Sequence, residues 1–522
     1  MSIENAADKR ASRLVLLTCS SVCALIVLDT NIVAVSLPSV ARSLHAGFRD
    51  IEWIVSAYML AFASLLLPAG SLADRYGRKR VMLTGLAVFG AASLLCGLAW
   101  SAEVLQMARA LKGVGAALLL TSALAVIGHA FHTEEARTKA WAVWGACMGV
   151  SMTIAPLLGG LITQLLGWRW IFLLNLPVCA MLATLVYRHV SESRDPGAAR
   201  IDPWGSLLLS GGLCVLIWTL INASVAGWGS QTTLLGCIAG AALLALFVPV
   251  ELLQKRPMID LRLFRAPRFV GAVLAMFGYA TSAQVMMTFL PLYLQNAFSF
   301  SAIAAGLAML PFAVAMMLFP RVGALLARYM PLHDVMALGM GLVCAGNLLI
   351  AIAAHVSSYI VVTLGMLVAG SGAGLLNGNT QKGIMSCVPR ERTGMASGIS
   401  TTTRFAGIVL AIACLGAVLT ERTGSYLQQS LEDAGLGLPA QFTDTVQRIM
   451  AGDTTAALHG LANSKPALVL AQHSFTQAFS VLMGLAALIA AISGVLVFIL
   501  MRTSDSANRA LQQPGLPDGV NP

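Results

Sequence analysis

Apolar residues along this chain neither alternate nor form the one-sided stripe of a half-exposed helix. They come in runs of about 18 or more, separated by short polar stretches, from near residue 14 to residue 501. Such runs are too long and too evenly apolar for barrel strands, and a lipid-facing segment must satisfy its own backbone hydrogen bonds, so each is read as a helix. Fourteen spans result, at roughly 14–38, 51–71, 81–101, 106–130, 140–163, 169–188, 204–224, 232–252, 269–293, 302–326, 333–354, 358–381, 396–420 and 474–501. The predicted fold class is an all-α polytopic membrane protein.

Composition agrees with that pattern. The 522 residues are 57% hydrophobic and 11% charged, with mean hydropathy +0.80, against about 25% charged for an ordinary soluble protein. There is too little polar surface for several soluble domains, which excludes a secreted factor, a cytosolic enzyme and a nucleic-acid-binding module. The net charge of +10 is a topology signal. With the N-terminus in the cytoplasm, 24 of the 33 Lys and Arg fall on the cytoplasmic side. Six fall outside (Arg42, Arg49, Arg169, Arg422, Arg448 and Lys465), and Arg109, Lys112 and Arg404 lie deep within spans. Both termini are expected on the cytoplasmic side of the membrane. The ten cysteines avoid the long outer segment 421–472, so neither a disulfide framework nor a zinc site is expected.

An internal repeat organises the spans. Gly70-Ser-Leu-Ala-Asp-Arg-Tyr76 returns as Gly323-Ala-Leu-Leu-Ala-Arg-Tyr329, Gly113-Val-Gly-Ala116 as Gly370-Ser-Gly-Ala373, and Arg137-Thr138 as Arg392-Thr393. Three matches in order at nearly one offset indicate duplication. They pair spans 1–6 with 9–14 and leave spans 7 and 8 as an insertion. The expected division is a tail at 1–13, a six-helix bundle at 14–200, two linker helices at 201–256, a second bundle at 257–501 containing the outer loop 421–472, and a tail at 502–522 read as disordered. Related halves around a midplane site are the architecture of a secondary transporter.

The motif Gly70-Ser-Leu-Ala-Asp74-Arg75-Tyr-Gly77-Arg78-Lys-Arg80 crosses a tight turn between spans 2 and 3. Asp74 is placed to face a helix N-terminus. Here the sequence resembles the major facilitator superfamily, whose loop between helices 2 and 3 has this signature. Other segments narrow the resemblance to the fourteen-helix drug:proton antiporter branch. Leu28-Asp29-Thr-Asn-Ile-Val-Ala-Val-Ser-Leu-Pro38 is similar to its first-helix motif, with Asn31 and Ala34 departing from it. Arg109-Ala-Leu-Lys-Gly-Val-Gly115 is similar to its fourth-helix motif, with Lys112 at a position often Gln. Gly145, Gly149, Ala155-Pro156 and Gly159-Gly160 are similar to its fifth-helix antiporter motif, and Trp168 to Pro177 completes the likeness. The resemblance implies a major-facilitator-type fold, two six-helix halves with two extra helices between them. It also implies a proton-coupled exporter of drugs, biocides or secondary metabolites that works by alternating access. In that reading residues 70–80 are a conformational latch, and the span 5 glycines pack to seal the cytoplasmic side of the outward-open state.

Asp29 is the one carboxylate well inside a span, a place that costs about +2.5 to +3.5 kcal/mol on insertion scales; Glu52, Glu103, Glu251 and Asp334 lie near span ends. Low dielectric favours a neutral carboxyl and a nearby guanidinium favours the charged form. An Asp29 that exchanges Arg109 for water is therefore the candidate proton carrier, and a fixed ion pair with Arg109 is the alternative. Tyr279, Gln284, Gln295, Asn377, Asn379 and Arg404 are candidate substrate-cavity groups, each equally able to serve as an interhelical hydrogen-bond partner. A proton-linked importer remains an alternative function. A membrane enzyme lacks a catalytic constellation, and a channel lacks a ring of subunits. The expected partners are a small-molecule substrate, protons and the bilayer, with no nucleic acid and no cofactor or metal. The chain is expected to work as a monomer, with a periplasmic adaptor left open.

Overall fold

The computed structural model describes residues 2–131, 134–194, 202–254, 259–356, 358–388, 393–439, 441–453 and 465–512. They form helices throughout. The first half contains α1 (Ser2–Leu44), α2 (Phe48–Tyr76), α3 (Arg78–Leu98), α4 (Ala102–Ala130), α5 (Glu134–Leu165), and α6 (Trp170–Leu173) continued by α7 (Asn175–His189). Two helices follow, α8 (Pro203–Ala226) and α9 (Gln231–Leu253). The second half contains α10 (Pro267–Tyr279), a π-helical turn (Ala280–Gln284) and α11 (Met286–Ala297), then α12 (Ala302–Ala308) and α13 (Leu310–Leu326). It ends with α14 (Leu332–Val356), α15 (Tyr359–Ser386), α16 (Thr393–Asp433), α17 (Phe442–Ala451) and α18 (Lys465–Gln512).

Thirteen helices among the described residues are long and apolar enough to cross a bilayer, and a fourteenth appears when the bent pair Phe48–Leu66 and Pro68–Tyr76 is taken as one span. That bend, 53°, falls at Pro68, whose missing N–H and ring break the α-helical ladder. Starts are set by short polar side chains. Ser101, Ser230 and Ser301 each accept a hydrogen bond from the backbone N–H three residues on, which satisfies a donor that the first turn leaves free. Lipid-facing surface is apolar: α9 exposes Leu234, Leu235, Ile238, Leu246, Leu252 and Leu253.

The two halves meet along two seams, and α1 also touches α11. In one, α5 lies against α12 and α13; a side chain at Gly160 would strike the Ala302 carbonyl, and one at Gly306 the Pro156 carbonyl. In the other, α2 lies against α16, with Phe62 and Phe405 edge to face at 4.6 Å. At one end, that of Arg42 and Arg49, α17 covers the bundle. Asn296 of α11 donates to the Ile449 and Met450 carbonyls at 3.3 and 3.1 Å, Arg42 of α1 to the Gly452 carbonyl at 3.1 Å, and the Arg49 N–H of α2 to Gln447 at 3.0 Å.

One expectation changes, and the outer segment gains detail. The tail beginning at residue 502 is helical as far as Gln512, because beyond Gly494 α18 meets no Pro or Gly until Pro514. The outer segment is partly an extension of α16 and partly the packed helix α17, which buries Val446, Ile449 and Met450. Residues 454–464 of that segment, residues 513–522 of the tail, and the repeat residue Arg392 lie outside the described residues.

Candidate functional site

Asp29, in the middle of α1, is fully buried inside the first half. The carboxylate meets more than the one arginine expected. Arg109 Nη1 lies 2.9 Å from Oδ2, Lys112 Nζ 2.5 Å from Oδ1, and Asn175 Nδ2 donates to Oδ1 at 3.0 Å. Lys112 follows Arg109 by three residues on α4, so both cations leave the same face of that helix. Each is further held. Arg109 Nε donates to the Ile54 carbonyl at 3.1 Å and its guanidinium lies 4.1 Å from the Tyr58 ring centre. Lys112 sits between the Phe89 and Phe172 rings, 4.7 and 4.9 Å from their centres. One carboxylate thus joins α1, α2, α3, α4, α6 and α7, and two cations leave the buried group with one positive charge in excess. The expected Asp29–Arg109 pair is present. Lys112 and Asn175 are the partners that sequence reasoning did not assign, although the Arg109-x-x-Lys112 spacing held the signal.

The 70–80 turn is built around Gly77, whose φ of 112° suits glycine. Asp74 Oδ1 accepts from the side chain of Arg78, the first residue of α3, at 2.8 Å, and among the described residues no backbone N–H of a helix start donates to it. The carboxylate at the start of α3 is Glu192, which accepts from the Lys79 and Arg80 N–H groups at 3.1 and 3.3 Å. Arg75 lies over Tyr76, and Gly70 has only ordinary contact with Thr121.

The α5 glycines divide by position. Gly159 and Gly160 admit the backbones of Ile32 and Ala302, and the turn at Pro156 meets Gly306. Gly149 faces Met317 at van der Waals distance, while Gly145 faces open space. In this conformation the row therefore packs at the α17 end and is free at the other, the reverse of the seal expected for the outward-open state.

The candidate cavity groups also divide. Arg404 of α16 donates to Gln284 Oε1 at 2.6 Å and to Asn377 Oδ1 at 3.2 Å, and lies 5.5 Å from the centre of the buried Tyr279 ring. The π turn brings Tyr279 and Gln284 into this group. No carboxylate pairs with Arg404 among the described residues. Gln295 is elsewhere, bridging the halves to the Val35 carbonyl at 2.9 Å, and Asn379 bonds its own helix at Leu375. No cluster of three or more metal-ligating side chains occurs among the described residues.

The family model of the Major Facilitator Superfamily matches residues 19–412. The chain belongs to this superfamily. Within the superfamily its relatives are efflux proteins of the fourteen-span branch. It is 35% identical over 411 residues, 78% of this chain and 76% of the relative, to the multidrug resistance protein Stp of Mycobacterium tuberculosis (strain CDC 1551 / Oshkosh). It is 33% identical over 404 residues, 75% and 82% of the two chains, to the methylenomycin A resistance protein of Streptomyces coelicolor. The tetracenomycin C resistance and export protein of Streptomyces glaucescens is 31% identical over 417 residues, 79% and 77%. Among solved superfamily-type folds, a bacterial homologue of the human lysosomal transporter Spinster superposes with TM-score 0.65 at 16% identity, covering 95% of this chain and 98% of that one.

Proposed function

We propose that this protein is a proton-driven exporter of amphipathic small molecules, among them antibiotics. The observation that carries the reading is the match, over about three quarters of both chains, to proteins named for drug resistance and antibiotic export. We place the protein in a bacterial inner membrane with both termini in the cytoplasm and the α17 end outside. It works as one chain, with two six-helix bundles, residues 14–200 and 257–501, rocking about the two seams, and residues 201–256 as linker helices.

Arg404, Gln284, Asn377 and Tyr279 form the polar part of the substrate cavity. The unmatched guanidinium favours substrates that bring carbonyl or acidic oxygens to it. Asp29 and Arg109 belong to proton coupling under a stated condition. Held by two cations, Asp29 accepts a proton only after α4 shifts away from α1 and water or a proton takes the place of a cation. Asp74, Arg75, Gly77 and Arg78, with Gly70 on α2, act as the latch that re-forms when the cytoplasmic end closes.

The test is transport by purified protein in liposomes with and without an imposed pH gradient. Uphill movement of substrate that appears only with the gradient, accompanied by counter-movement of protons, supports the reading. Substrate movement indifferent to the gradient, or running with the protons, would replace export by antiport with another mode.

A further inference from the structure

Glu52 lies one turn into α2, at the α17 end, and only 4% of it is exposed. Its Oε1 has no hydrogen-bond partner. Its apolar atoms line a small cavity whose other walls are Leu37 of α1, Phe48, Ile51 and Val55 of α2, Thr288, Phe289 and Leu292 of α11, and Ile412 of α16. Directly opposite is Gly416 of α16, where a methyl group would collide with Oε1. A carboxyl of the first half therefore fills the space that a side chain of the second half would need, at a seam that must part for the outer end to open.

Among the described residues no cation pairs with it. From α4, Arg109 and Lys112 turn to Asp29, and Gln106 turns to Asp50. From α17, Gln447 turns to the Arg49 N–H and Arg448 pairs with Asp444. From α16 the titratable neighbour is the Cys414 thiol, and α1 and α11 present the cavity residues just named. A bare carboxylate in such a place is costly, whereas a neutral carboxyl is tolerated.

We propose that Glu52 is a proton-binding residue of the transport cycle: it must be neutral for α2 to close on Gly416, and it ionises when the outer end parts and water reaches it. Closure of the outer end is thereby linked to a proton taken from the outer phase. This rests on the export reading above for its direction, but the linkage itself is separable from it.

The experiment places a cysteine at Leu292, which lines the same cavity and is 2% exposed, in a cysteine-free background. Its reaction with an impermeant maleimide reports outer opening in proteoliposomes as outer pH rises from about 5 to 8. With Glu52 present, labelling should rise steeply, by up to about tenfold per pH unit for one linked proton. Glu52→Gln shares the thiol chemistry and should lose that excess. Equal pH dependence in the two proteins overturns the proposal. Gly416→Ala reads the contact from the other helix, so the outcome does not depend on Glu52→Gln folding: its methyl should raise labelling at every pH, and no rise also overturns the proposal. The same vesicles report gradient-driven export. Loss of that alone refutes the export reading and leaves Glu52 gating standing, while intact export with identical labelling refutes only the role of Glu52.

Discussion

A carboxylate shared by two cations responds to substitution differently from one in a simple pair. Replacing Asp29 by Asn leaves Arg109 and Lys112 both buried and unmatched, a defect that typically costs about 3–5 kcal/mol where a buried pair is broken. Lys112→Gln instead leaves a one-to-one pair with Asp29. Thermal unfolding in detergent should therefore show a large loss for Asp29→Asn, a small one for Lys112→Gln, and partial recovery in the double variant. Equal losses for the two single variants would mean that Lys112 does not share the carboxylate. At the cavity, Arg404→Ala should weaken binding of an acid-bearing substrate by about tenfold or more, corresponding to a charge-assisted hydrogen bond of about 1.5–3 kcal/mol, and should affect a cationic dye less. Titration calorimetry on purified protein measures both. Asp29 and Arg109 were legible from the sequence, because intramembrane charge is costly and needs a partner. Glu52 was not: its distance along the chain from the middle of span 2 suggested a watery end, and only the seam with Gly416 shows it buried.

Among the elements, α5 offers two glycines with opposite prospects. Gly160→Ala places a methyl against the Ala302 carbonyl and should cost about 1–3 kcal/mol, the usual range for overpacking. Gly145→Ala meets open space and should leave the melting temperature unchanged. A common response from both would show that the row does not pack at one end alone. Sequence spacing revealed the glycine row but not which part is engaged, since that depends on how the halves are tilted. The same limit applied to the 70–80 turn. Gly77 and the basic cluster were readable, yet the acid that serves the start of α3 comes from Glu192, more than a hundred residues later. Glu192→Gln should accordingly loosen α3 more than Asp74→Asn does, as hydrogen exchange at Lys79 and Arg80 would measure. Greater exchange in Asp74→Asn would return the capping role to Asp74.

For the whole molecule, apolar run length made the spans legible and the Lys/Arg asymmetry made their direction legible, because both follow from the bilayer as solvent. A cysteine at Ser425 should react with an impermeant maleimide in intact cells and one at Ser504 should not; the reverse pattern would invert the chain. Packing of the outer segment was the illegible part, since α17 is too short and too polar to announce itself as part of a membrane bundle. Its bonds to Arg42 and Arg49 on one half and Asn296 on the other have a consequence for idle behaviour. A lid attached to both partners cannot travel with either one, so the resting molecule is biased toward staying shut on that side. Such a bias suppresses futile cycling: without cargo, there is nothing to offset the bonds that opening breaks. Asn296→Ala should then raise the dissipation of an imposed pH gradient by cargo-free vesicles, turning a tight pump into a slowly leaking one.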